Sequence, residues 1–212
     1  MKPLAVIFMG INRSKEEFNT TPSIHTYIES YYDSMYVSLT IADLQTTEKI
    51  QERLNLALAE IRQRGVPQLV LAHSFGCIFA IYSLAEFQNP GIQFVCIDPT
   101  THFTRGYAEH ISPALAKFLD CKPILQLNSV NVLTYAPKEP MTEKKQNYIR
   151  KRNAGIMGLF SEETIVTLEY VQKESGKYIA HDIHLNYPEV IINAIRPVPI
   201  KNGYLPRPTH FE

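Results

Sequence analysis

Two rhythms of apolar residues alternate along the chain. Six short, mainly apolar runs have strand length: Leu4 to Met9, which is unbroken, and Met35 to Leu39, Gln68 to Ala72, Gln93 to Ile97, Val130 to Tyr135 and Ile165 to Val171. Short apolar runs that alternate with longer helical patterns argue for parallel strands joined by crossover helices, so these runs predict a mainly parallel sheet. Between them lie helical patterns with recognisable ends. Ser23 to Tyr32 follows Pro22, and Thr46 to Arg64 opens on threonines and Glu48 and stops at Gly65. In the latter, Ile50, Leu54, Ala57, Leu58 and Ile61 make one apolar stripe, which predicts a helix lying on a sheet face.

The segment after Ser74, FGCIFAIYSLAEF, is apolar nearly all round and predicts a helix buried at the centre of the sheet. Pro188 to Ile195 predicts a last helix with proline in its first turn. Between Thr100 and Ser129, Phe103, Tyr107, Leu115, Phe118 and Leu119 predict a short lid or a simple crossover helix. Residues 1–196 are thus expected to form one α/β domain, with strands and helices alternating as crossover units do, and 197–212 a proline-rich tail without periodicity.

Composition narrows the class. The chain has 212 residues, 45% hydrophobic, with 21 basic against 21 acidic side chains. A chain of this size buries about 70% of its unfolded surface, enough for a core without disulfides or metals. The balanced charge provides no global field for phosphate backbones or anionic membranes, so no nucleic-acid partner is expected, and with no stretch near the roughly 20 apolar residues that cross a bilayer, no integral membrane association either. Cys77, Cys96 and Cys121 are odd in number and lack CxxC spacing, and two lie inside apolar runs as reduced core thiols do. With no early apolar run of signal-peptide length, a cytoplasmic protein is the expectation. The one basic concentration, Met141 to Arg152, reads either as a solvated helix face or as a site for an anionic substrate moiety such as a nucleotide phosphate.

The chemistry-bearing stretch is LVLAHSFGCIFAIY, in which Ala72, Ser74 and Gly76 give small-x-Ser-x-small between a strand and a buried helix. A serine on so sharp a turn has strained backbone angles, and residues two positions away on either side must be small to avoid collision. The turn would hold the hydroxyl clear of the sheet and aim the Phe75 amide at an oxyanion by the helix N-terminus. A competing role for Ser74 is to cap the helix that follows.

With these flanks the sequence resembles the α/β-hydrolase superfamily. The resemblance implies a three-layer sandwich of about six strands with helices on both faces. It extends to NVLTYAPKEP, where Ala136 and Glu139 stand for the glycine and acid of the family pattern, and to AHDIHLNYPEV, which is similar to the segment carrying the family's histidine. It assigns the base to His181 and the acid to Glu139, with Asp98 in VCIDPT at the alternative place for the acid. In IFMGIN, Met9 stands where the family usually has histidine. The resemblance implies that Gly10 shapes the oxyanion loop and Ile11 donates its amide beside that of Phe75, with Asn12 and His73 as pocket candidates.

The implied activity is that of a cofactor-free serine hydrolase with little or no cap, acting on ester or thioester bonds of small or carrier-bound acyl substrates. The alternatives are a catalytically silent member that binds a ligand or protein, or an acyltransferase using the same serine. A metal site at His181, Asp182 and His184 is not expected, since the segment precedes Pro188 as a loop and lacks the HExxH pattern.

Overall fold

Six parallel strands form at the six apolar runs: β1 (Leu4–Ile11), β2 (Asp33–Leu39), β3 (Leu69–His73), β4 (Gln93–Ile97), β5 (Ser129–Tyr135) and β6 (Ile165–Val171). The structure is a computed structural model and describes residues 2–87, 89–101, 105–135, 142–171, 181–195, 199–200 and 203–204. Strand order in the sheet is β2-β1-β3-β4-β5-β6. Ile7 of β1 is opposite Tyr36 on one side and Leu71 on the other, so the chain turns outward to β2 and then builds in the opposite direction from β3. Such a reversal opens a crevice at the carboxyl ends of the strands, where α/β folds place their sites.

Strands β1, β3 and β4 are apolar and buried almost throughout because both faces are covered, whereas β2 and β6, at the sheet edges, bury only part of their residues. Leu4, Val6 and Phe8 face one core with α2 (Thr47–Arg64), α3 (Gly76–Ala85) and α5 (Pro113–Asp120). Ala5, Ile7 and Met9 face the other, with α1 (Ile24–Tyr31) and α8 (Pro188–Ala194). Met9, at the position where the resemblance expects histidine, is fully buried in that second core.

The helix boundaries follow their caps. The Ser23, Thr46, Ser112 and Thr142 side chains each accept a backbone N–H in the first turn of α1, α2, α5 and α6 (Glu143–Met157). These satisfy donors that a helix leaves unpaired at its start.

Among the described residues the segment between β4 and β5 is a crossover: α4 (Arg105–Ile111) leads into α5, which buries Leu115, Ala116 and Leu119 and stacks Phe118 on Tyr82. Phe103 and the Tyr107 side chain lie outside the described residues. His184 sits in a single helical turn, α7 (Ile183–Asn186), where a loop was expected. Within the tail, Pro199–Ile200 (β7) and Gly203–Tyr204 (β8) pair as a short antiparallel ladder. No helix among the described residues is long and apolar enough to cross a membrane.

Candidate active site

Three residues other than glycine have positive φ among the described residues: Asn12 (56°), Ser74 (57°) and Asp98 (42°). Each lies at the carboxyl end of its strand, β1, β3 or β4. Such backbone persists only where the surroundings over-determine it, at about 1 to 3 kcal/mol each, and it clusters at functional sites. Ser74 shows the over-determination. Its N–H donates to Ile97 O (3.0 Å), and its carbonyl accepts from Cys77 N (3.1 Å) and Thr100 N (3.3 Å).

The turn also depends on Gly76. A Cβ there would run into the backbone carbonyls of Phe8 and Met9, 2.6 Å from the latter. Helix α3 therefore packs its first residue directly on β1, which fixes the serine relative to the neighbouring strand.

Residues far apart in sequence converge on that serine. His181 Nε2 lies 2.6 Å from Ser74 Oγ, and His181 Nδ1 lies 2.8 Å from Asp98 Oδ2. With the proton on Nδ1, donated to the carboxylate, Nε2 accepts from the serine hydroxyl. Asp98 is mostly buried, and its other oxygen accepts from Thr134 Oγ1 at 3.1 Å, so both carboxylate oxygens have a donor. Glu139, expected to provide this acid, lies outside the described residues; the carboxylate on His181 is that of Asp98. The sequence could not choose between them because both follow adjacent strands.

Three ties hold the segment that carries His181. His73 Nε2–H donates to the His181 carbonyl (2.8 Å), Arg13 pairs with Asp182 (2.7 Å), and His184 Nε2 meets Glu17 Oε2 (3.0 Å). Arg13 also pairs with Glu17 at 3.2 Å, which links the two carboxylates through one guanidinium.

Burial, reinforced by the neighbouring imidazoles of His184 and His181, holds His73 well below the usual histidine range. His184 is lowered too, mainly by burial, with Glu17 opposing the shift. Both are therefore neutral side chains that support the loop. His73 packs on Gly10, whose added Cβ would stand 2.8 Å from His73 Nδ1.

These groups open onto a cavity of about 410 Å³ lined by Gly10, Ile11, Ser74, Phe75 and Asp98, together with Arg13, His73, Thr100, Thr101, Tyr135, Tyr148, Arg152 and His181. Phe75 precedes α3 at its N-terminus, where backbone N–H groups favour negative charge. Asn12 does not line this cavity: its Oδ1 accepts the Ile41 N–H at 3.1 Å and ties the end of β1 to the turn that follows β2.

One cluster has the make-up of a metal site. His73, Asp182 and His184 bring one ligand atom each within 4.8 Å of one another. Asp182 is already paired with Arg13, and that fixed positive charge opposes a cation beside it.

Sequence reasoning missed Arg13, Glu17 and Thr134, and took Arg152 only as the end of the basic segment Met141 to Arg152. Thr134 carried a signal, a polar side chain near the end of an apolar strand; the partners of Arg13 became visible only with tertiary structure.

No family model and no curated protein sequence matches the chain. Its shape does match solved structures. MGS-MChE2, an α/β-hydrolase enzyme from the metagenome of lagoon sediments at Mar Chica, Morocco, superposes with a TM-score of 0.54 and 12% identity over 91% of this chain and 88% of that one. Est1E from Butyrivibrio proteoclasticus gives 0.52 and 11%, with the same coverage. The S-formylglutathione hydrolase from Agrobacterium tumefaciens gives 0.51 and 10% over 91% and 83%. What such distant sequences share with this one is the course of the chain, and by that measure this protein has the α/β-hydrolase fold.

Proposed function

We propose that the protein is a serine hydrolase that cleaves carboxylic esters or thioesters by way of an acyl-enzyme, with Ser74 as nucleophile, His181 as base and Asp98 as the acid. The observation that carries this reading is the continuous hydrogen-bonded chain Ser74 Oγ, His181, Asp98, with contacts of 2.6 and 2.8 Å, at the mouth of a cavity. The α/β-hydrolase and hydrolase descriptions of the structural neighbours are consistent with it.

In this mechanism His181 Nε2 takes the serine proton as Oγ bonds to the substrate carbonyl carbon. Asp98 holds the imidazole in the Nδ1–H tautomer and stabilises the positive charge that forms. The tetrahedral oxyanion is held by the amides of Phe75 and Ile11, each worth about 3 to 4 kcal/mol in the transition state. Collapse expels the alcohol or thiol with the proton from His181, and water then repeats the sequence on the acyl-enzyme. No cofactor enters the steps.

The test is steady-state hydrolysis of 4-nitrophenyl acetate and butyrate by the wild type and Ser74→Ala. Turnover that falls by about 10⁴-fold or more in the variant is expected. Turnover that survives the substitution would overturn the reading.

A further inference from the structure

Helix α6 buries three residues, Arg152, Gly155 and Ile156, one helical face that packs beside the site. Gly155 lies against Thr101, close enough that an added Cβ would stand 2.7 Å from its hydroxyl. This docking brings Arg152, only 6% exposed, to the wall of the Ser74 cavity. The other basic side chains of the segment, Lys144, Lys145, Arg150 and Lys151, are exposed, so the solvated-face reading fits them and not Arg152.

Arg152 is incompletely satisfied. Nη2 donates to Tyr135 O (3.1 Å) and the guanidinium carbon lies 4.4 Å from the centroid of the Tyr135 ring, but Nε and Nη1 are buried without an acceptor among the described residues. Among the described residues no carboxylate pairs with it. The two other charged groups that line the cavity differ in this respect: Arg13 is matched by Glu17 and Asp182, and Asp98 by His181 and Thr134. A guanidinium cannot shed its proton, and a buried cation with open donors calls for an anion.

We propose that Arg152 binds an anionic group of the substrate, a carboxylate or phosphate carried close to the scissile carbonyl. This rests on the serine hydrolase reading and narrows it to negatively charged esters or thioesters. A cavity of about 410 Å³ is at the small end of ligand pockets, so the anion and the carbonyl belong to one compact molecule.

The experiment compares kcat/KM for matched ester pairs. 4-Nitrophenyl hemiadipate against 4-nitrophenyl hexanoate places a carboxylate on the acyl side. 4-Acetoxybenzoate and 4-acetoxyphenyl phosphate, each against 4-acetoxybenzamide, place a carboxylate or a phosphate on the leaving group. The wild type is expected to favour at least one anionic partner by about 10- to 100-fold. Arg152→Met is expected to abolish that preference and Arg152→Lys to keep part of it. Wild-type enzyme that hydrolyses the neutral esters as well as all the anionic ones overturns the anion site and leaves the hydrolase reading standing.

A second readout needs no turnover: the melting temperature in adipate or inorganic phosphate. Stabilisation of the wild type and not of Arg152→Met, with no ester cleaved, would retain the anion site and remove the hydrolase reading. No stabilisation and no cleavage would remove both. If Arg152→Met does not fold, the wild-type preference and its retention in Arg152→Lys decide the matter.

Discussion

Helices α3 and α6 both reach the same cavity, and the chain builds them in opposite ways. Helix α3 is buried almost all round, sits in the centre of the fold and is wedged at Gly76 onto the carbonyls of β1. Helix α6 is polar on most of its surface and touches the interior through three residues, one of them charged. The first fixes the position of Ser74, and the second brings one cation to the wall. In the proposed reading, chemistry that depends on sub-ångström placement is thus carried by the rigid core of the fold, and recognition by a peripheral helix.

Substitutions can test that division. The largest expected effect, after loss of the serine itself, is at the proposed acid: Asp98→Asn should lower kcat by about 10³- to 10⁴-fold with the fold intact by circular dichroism. Glu139→Gln should stay within a few-fold of the wild type. The reverse pattern would return the acid to Glu139.

Matched glycine substitutions then contrast the helices directly. Gly76→Ala meets immovable backbone and should cost about 2 to 3 kcal/mol in denaturant unfolding, with activity falling alongside. Gly155→Ala meets the Thr101 side chain rather than backbone, 2.7 Å from its hydroxyl and 3.0 Å from its Cβ, and gains about 1 kcal/mol of helix propensity that offsets part of the contact. Its stability should change by less than about 1 kcal/mol. Equal costs at the two sites would show that α6 is as rigidly built in as α3.

Arg13→Met tests the ties behind His181. Loss of the Asp182 pair should lower kcat by about 10-fold through a looser imidazole. An unchanged kcat would show that His73 and His184 suffice.

The smallest effect is in pH. Because His73 and His184 are depressed in the folded state, the unfolded chain takes up protons first as the pH drops below about 6.5. Stability is therefore complete above that value and should decline below it by up to about 1.4 kcal/mol per pH unit for each group, less for His184, where Glu17 opposes the shift. Chemical denaturation at pH 7 and pH 5.5 measures the slope, and His73→Gln should flatten it.

The contrast between the helices also explains what could be read in advance. All-round apolarity and the small residues at 72 and 76 announced α3 and its turn, because local sterics dictate both. The central strands β1, β3 and β4 were legible for the same reason, since burial on two faces leaves a nearly continuous apolar mark, while the edge strands β2 and β6 carried it only in part. The acid was not: Glu139 and Asp98 follow neighbouring strands, and the choice between them is set by which carboxylate meets His181 across 83 residues of chain. Arg152 was hidden within a basic run, and its burial became visible only with Gly155 and Ile156 on the same face, beyond the end of that run. The roles of Arg13 and Glu17 depended on pairing with the segment around His181 and had no local signature.

The most direct test of the central claim is intact mass after exposure to a fluorophosphonate, with Ser74→Ala treated in parallel. The account predicts one adduct per wild-type chain and none on the variant. A folded wild-type protein that forms no adduct, or an adduct that persists in Ser74→Ala, would contradict an activated serine at the end of β3.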